Sequence, residues 1–383
     1  MNKKFVLAPD SFKESLSAKE VCQAMERGIK KVFPEAEIIL APMADGGEGT
    51  IEALIDATEG RRVFKNVRGP LENSEVEAYF GILGNSDTAV IEMAKASGLE
   101  LLALKDRNPL ITSTYGTGQL IKAAIDEGMH KMKIIIGIGG SATNDGGSGM
   151  ARALGAKFLD EKGEEIPSGG GFLKKLNQID MSNFDKRLQE VEIFIASDVT
   201  NPLVGKNGAS YVFGPQKGAS AKMVEELDEN MNHYANIIYR DLGKDIKNKA
   251  GAGAAGGLGA GLLAFTDAEM KLGIELVANN IHLEDKIKEA DYIFTGEGGM
   301  DYQTKFGKAP FGVSKLAKKY KKPCFALAGH IGEGIEVLYE EGMTAIFGIQ
   351  GTAQTLPEAL KSGTKNIERT SENIARILSI TEY

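Results

Sequence analysis

Six apolar runs in this chain end in a side chain able to bind a cation or carry a proton. "FVLAP" is followed by Asp10, and "IILAPMA" by Asp45 with Gly46 and Gly47. "IIIGIGGSATN" leads to Asp145 and two more glycines, and "EIFIAS" leads to Asp198. "YIFTG" leads to Glu297 and then Asp301, and "CFALAG" leads to His330. Ligands of open parallel sheets bind beyond the carboxyl ends of the strands. Six such endings therefore imply one convergent cleft. Turn or helix-cap chemistry explains any single aspartate better. It explains the set less well, because a cap needs no acid and serine or threonine serves the same purpose.

Several carboxylates, glycine-lined turns and scattered lysines suit a magnesium–nucleotide site. Backbone N–H groups from Gly139 to Gly147 could cradle phosphates at a helix start. Carboxylates would hold the metal, and one more would take the proton of an acceptor hydroxyl. The GxxxxGK[ST] loop is absent, so the nucleotide mode must be a different one. A nicotinamide site is the rival reading. Gly137, Gly139 and Ala142 fit GxGxxA after a good strand, with Asp160 downstream. Against it, "TNDGGSG" fills the place where the first helix should already run. Gly251, Gly253 and Gly256 fit GxGxxG, but "KDIKNKA" before them is no strand.

The elements that carry these residues read as α/β. Ser17 and Glu20 form a capping box ahead of an amphipathic helix, and "EIILAPM" and "IEALIDATEG" continue as strand and helix. "RRVFKNVRGP", "VEAYFGILG" and "TAVIEMAKA" read as antiparallel strands. "KIIIGIGG" and "VEIFIASD" are further strands, and "MVEELDENMNHYANIIYRDL" is a long helix. From Asp291 the βα rhythm returns in "DYIFTGEG", "PCFALAGHIG" and "TAIFGIQG". The expected architecture is a doubly wound parallel sheet built from both chain ends, residues 1–62 and 288–383. Residues 63–287 form an inserted α/β domain of mixed sheet.

Bulk properties narrow the classes. A chain of 383 residues is long enough for more than one domain. A formal net charge of −8 without a basic stripe argues against nucleic acid. No apolar run is long enough to span a bilayer, and the N-terminal segment is too short for a signal-peptide core, so a cytoplasmic protein is expected. Two cysteines and four histidines offer no disulfide framework and no HxxxH pair. Glycine is the outlier at 47 residues, clustered where backbone bends sharply or approaches something closely.

At these motifs the chain resembles the bacterial type I glycerate kinase family over nearly its full length. The resemblance rests on "APDSFKESLSA", "PMADGGEGT", "RNPLITSTYGTGQLI", "GIGGSATNDGGSGMARALGAKFLD", "SDVTNPLVG", "FGPQKGA", "GAGAAGGLGAGL" and "TGEGGMDYQTKFGKAP". Two positions depart from it: the family usually has arginine at Gly299 and glycine at Glu72. The resemblance implies a flavodoxin-like domain with a discontinuous insertion and an active site between the two. It also implies ATP-dependent phosphorylation of D-glycerate, mainly to 2-phosphoglycerate.

Residue roles follow as expectations. Asp198 is the base, with Asp45 and Lys13 beside it as catalytic groups. Asp10, Ser11, Arg107 and Asn201 hold the acceptor, Arg107 through a bidentate contact to its carboxylate. Gly139, Gly140, Ser141, Thr143, Asn144, Gly146 and Lys308 take the nucleotide phosphates, and Asp145, Glu297 and Asp301 the magnesium. Catalysis is expected to require the two domains to close. A nicotinamide-dependent hydroxy-acid dehydrogenase and a non-catalytic small-carboxylate sensor are the alternatives. The sequence leaves a homodimer open.

Overall fold

A computed structural model of the chain describes residues 2–47, 49–84, 86–128 and 132–380. The chain forms two compact units. One is built from Met1–Asp45, Glu52–Glu59 and Leu272–Tyr383, the other from Gly46–Ile51 and Gly60–Lys271. The helices Gly273–Asn280 and Leu283–Glu289 thus belong with the chain ends rather than with the middle, where the sequence reading had put most of them.

In chain order the strands are β1 (Lys4–Leu7), β2 (Glu37–Leu40), β3 (Arg61–Arg68), β4 (Glu75–Ile82), β5 (Thr88–Glu92) and β6 (Lys133–Gly137). They continue as β7 (Lys157–Leu159), β8 (Gln178–Asp180), β9 (Glu192–Ala196) and β10 (Glu269–Lys271). The last three are β11 (Tyr292–Met300), β12 (Cys324–Ile331) and β13 (Ala345–Gly348).

The first unit holds a five-stranded sheet in the order β2-β1-β11-β12-β13, parallel throughout. Its central strands read as continuous apolar runs because both faces are covered. Phe5, Leu7, Phe294 and Leu327 are buried in one core with Val21, Met25 and Ile29 of the helix Ala18–Lys30. Ser17 caps that helix through the capping box with Glu20. The helix packs on Gly363–Ile380 so closely that a Cβ at Gly28 would lie 2.2 Å from the Glu368 carbonyl oxygen. Chain order reverses about β1: β2 lies on one side and β11 on the other. Such a reversal opens a crevice at the carboxyl ends.

The second unit holds a mixed sheet in the order β10-β9-β6-β5-β4-β3. β3, β4 and β5 pair antiparallel, while β5, β6, β9 and β10 pair parallel. A small antiparallel pair, β7 with β8, stands apart. The long helix runs over Ala221–Leu242, capped by Ser220 and closed by Gly243 at φ +68°. The small-residue stretch Ala254–Phe265 is helical only after Ala255, Gly256 and Gly257, all of positive φ. A Cβ at Gly256 would lie 1.9 Å from the Thr143 carbonyl oxygen, so this stretch exists to press backbone against the loop after β6. Packing, not a dinucleotide, explains its GxGxxG match.

Both cysteines are fully buried. Among the described residues no helix is long and apolar enough to cross a membrane.

Candidate active site

Strand ends of the first unit build one pocket of about 730 Å³. Parallel pairing continues past β1: Asp10 N–H donates to the Gly296 carbonyl at 2.8 Å, and Met43 N–H to the Pro9 carbonyl at 2.9 Å. This ladder fixes Asp10 beside β11, where Glu297 follows. Asp10, Asp45 and Glu297 line the pocket with Lys13, Lys308 and His330. Ser11 joins them, and its backbone N–H donates to Asp10 Oδ1 at 2.6 Å.

Two of these acids, Asp10 and Glu297, are perturbed. Burial first, then the neighbouring Asp45 charge, pushes the Asp10 carboxyl up to about 7. Glu297 is also raised, mainly by burial, although Lys308 opposes the shift. Glu297 Oε2 accepts from Lys308 Nζ at 3.0 Å, and Oε1 accepts from Thr304 Oγ1 at 2.8 Å. Lys308 Nζ also donates to the Gly299 carbonyl at 3.2 Å. The pair therefore fixes an ammonium at the pocket wall. Lys13 stands exposed on the turn after Asp10.

The loop after β6 in the second unit is built differently. Ser141 to Gly147 are all buried, while Gly139 and Gly140 are exposed. Asp145 is wholly enclosed. Its carboxylate accepts from Thr114 N–H at 2.8 Å, from Thr114 Oγ1 at 2.9 Å, and from the N–H groups of Gly147 and Gly149 at 3.1 Å each. Burial raises its pKa, and these donors pull it back. Gly146 N–H goes to the Gly256 carbonyl, and Thr143 N–H to Ser141 Oγ. Asn144 Nδ2 donates to Ser210 Oγ. Lys217, 1% exposed, donates to Ser141 Oγ at 3.0 Å and to the Thr143 carbonyl at 2.6 Å. Burial pushes its ammonium down to about 7. The sequence reading did not single out Lys217. Its one signal was a lysine inside the glycine- and proline-bounded "FGPQKGA".

A sequence profile of the glycerate kinase family matches residues 5–379. The chain belongs to that family. It is 52% identical to glycerate 2-kinase of Escherichia coli K12 over 377 residues, 98% of each chain. It is 51% identical to glycerate kinase of Halalkalibacterium halodurans over 374 residues, again 98% of each. The crystal structure of a Salmonella typhimurium LT2 protein described as a glycerate kinase 2 matches with a TM-score of 0.91 and 48% identity, over the whole of both chains. Membership makes the protein an enzyme, a kinase, and the fold is the mixed α/β fold of that relative.

Several expected roles change on this geometry. The loop's N–H groups at 142, 143, 146 and 147 already bond protein acceptors, so these four do not cradle a phosphate. Ser141, Thr143, Asn144 and Gly146 are therefore internal framework, and only Gly139 and Gly140 of that set face solvent. The nicotinamide fingerprint fails for a related reason: a loop runs from 138 to 147, and the next helix starts only at Ser148.

The expected magnesium ligands Asp145, Glu297 and Asp301 each hold neighbouring groups in this fold. Asp145 is enclosed, both Glu297 oxygens bond neighbours, and Asp301 caps the turn over Tyr302–Lys305 through Gln303 N–H. Among the described residues no group of three or more His, Cys, Asp or Glu side chains could hold a metal ion. The described residues do not make a protein-built magnesium cage.

The remaining expected residues lie in the second unit. Asn201 organises its own loop, with Nδ2 on the Asn207 carbonyl and its own carbonyl accepting from Gly253 N–H. Asp198 follows β9 and is half-buried. Arg107 is half-buried, and its Nε is enclosed without a hydrogen-bond partner. At Gly299, on the pocket wall of the first unit, a Cβ would meet nothing within 4 Å.

Proposed function

We propose that the protein transfers the γ-phosphoryl group of ATP to the 2-hydroxyl of D-glycerate, giving 2-phosphoglycerate and ADP. The reading is carried by one observation: four carboxylates, Asp10, Glu14, Asp45 and Glu297, and two lysines line a single pocket at the strand ends of the first unit. In this reading the first unit is a flavodoxin-like domain made from both chain ends, and the second is the domain inserted into it.

Lys13 and Lys308 meet the triphosphate, where point charges suffice. Glu297 aims Lys308 and limits its movement. Asp10 receives the proton of the attacking hydroxyl, in place of Asp198. A base works best with a pKa near the operating pH, and the Asp10 carboxyl, raised to about 7, meets that condition. Asp45 keeps the Asp10 proton affinity high through its charge.

The test is ADP release in the presence of D-glycerate, ATP and magnesium, with the product identified by ³¹P NMR. Glycerate-dependent ADP release with a 2-phosphoglycerate signal is the expected result. Release independent of glycerate, or a 3-phosphoglycerate signal, would overturn the acceptor or the regiochemistry respectively.

A further inference from the structure

Beyond the two lysines, the pocket of the first unit continues over the segment that follows β13, and its chemistry changes there. Ala353, Leu356, Ala359 and Leu360 line this end together with the side-chain amides of Gln350 and Gln354. We propose that this end binds the adenine ring of the nucleotide. The inference rests on the kinase reading above and adds the position of the base.

Four observations carry it. Leu356 is 68% exposed at the pocket wall, a large apolar side chain that no protein group covers. An aromatic ring lying on it would remove that surface from water. Next, Gln354 Nε2 donates to Gln350 Oε1 at 2.6 Å. Spending those two atoms on each other leaves the Gln350 amide nitrogen as a donor and the Gln354 amide oxygen as an acceptor. The edge of adenine offers a ring-nitrogen acceptor and an exocyclic amine donor, the complement of that pair.

The apolar end is also fastened to the lysine end. Ser15 Oγ donates to the Leu360 carbonyl at 2.6 Å, tying the turn that carries Lys13 to the helix Leu356–Lys361. A nucleotide with its phosphates on Lys13 therefore has its base within one continuous wall. Finally, about 730 Å³ lies within the ordinary range for a cofactor-sized ligand.

The experiment compares ligands with and without the base on the full-length chain. Leu356→Asp alters an exposed position, so circular dichroism and melting temperature should match wild type. ADP affinity by calorimetry and the KM for ATP should each weaken at least tenfold. Affinity for inorganic tripolyphosphate, which has no base, should stay within twofold. A second variant, Gln354→Leu, should reduce the preference for ATP over GTP, a readout that a general loss of packing would not move. An unchanged ATP KM in folded Leu356→Asp protein, or equal losses for ADP and tripolyphosphate, would overturn the inference. Failure of the kinase reading would look different: wild-type protein would then release no ADP with glycerate at all.

Discussion

Asp10 and Asp145 carry the same sequence signature, an acid after an apolar strand, and the fold puts them to opposite uses. Asp145 is enclosed and held by two N–H groups of its own loop and by both donors of Thr114. It organises the loop after β6 from within. Asp10 lines an open pocket, accepts from the Ser11 N–H, and faces the charges of Asp45 and Glu297. Burial without enough compensating donors leaves its carboxyl poised near neutrality. The discriminating quantity is the supply of donors, not the acid itself. A carboxylate saturated by backbone N–H groups is framework, whereas one crowded by like charges is available for chemistry.

The largest effect should come from breaking the saturated member. Asp145→Ala orphans buried donors on Thr114, Gly147 and Gly149, each costing about 1–3 kcal/mol. The variant should melt far below wild type or fail to fold, as read by circular dichroism. A near-normal melt would mean that the loop is held by something else.

The opposite sign is expected at the other acid. A carboxyl raised from its ordinary value to about 7 in the folded state costs stability progressively as pH rises through that interval. Asp10→Asn removes the cost. It should therefore raise the melting temperature by a few degrees at pH 8 and change it little near pH 4. A lower melting temperature at pH 8 would show that the native charge is paired rather than strained.

Lys217 sharpens the contrast within the second unit. A lysine depressed to about 7 on folding makes wild-type stability rise with pH between about 7 and its ordinary value of 10.5. Lys217→Met lacks that gain. The stability gap between wild type and variant should widen from pH 7 to pH 10 in denaturant titrations, and a constant gap would contradict the burial of the ammonium. The smallest effect is expected at Gly299, where a side chain meets open space. Gly299→Arg should lower the KM for ATP by a few-fold and leave folding unchanged. A raised KM would place the triphosphate elsewhere.

Most of the strand framework was legible because buried parallel strands announce themselves as apolar runs with abrupt polar ends. "FVLAP", "IILAP", "YIFTG" and "CFALAG" all become neighbours in one sheet. The antiparallel character of β3, β4 and β5 was legible from their short polar breaks. The roles at the strand ends were less so. Whether "TNDGGSG" cradles a ligand or folds on itself depends on Thr114, Gly256 and Lys217, residues far away in sequence that consume its hydrogen-bonding groups. Asp301 likewise reads in the sequence as a metal ligand, and in the fold it accepts from Gln303 N–H and caps a turn. Local pattern specifies where a strand ends, but the partners that satisfy or strand a polar group arrive only with the tertiary fold.

The central claim is that the working base ends a strand of the first unit, not of the second. Turnover of Asp10→Asn and Asp198→Asn, measured side by side at pH 8 with saturating glycerate and ATP, tests it most directly. The account predicts a loss of roughly 10² to 10⁴-fold for Asp10→Asn and less than tenfold for Asp198→Asn, both variants remaining folded. The reverse order, with Asp10→Asn near wild type and Asp198→Asn inactive, would contradict it.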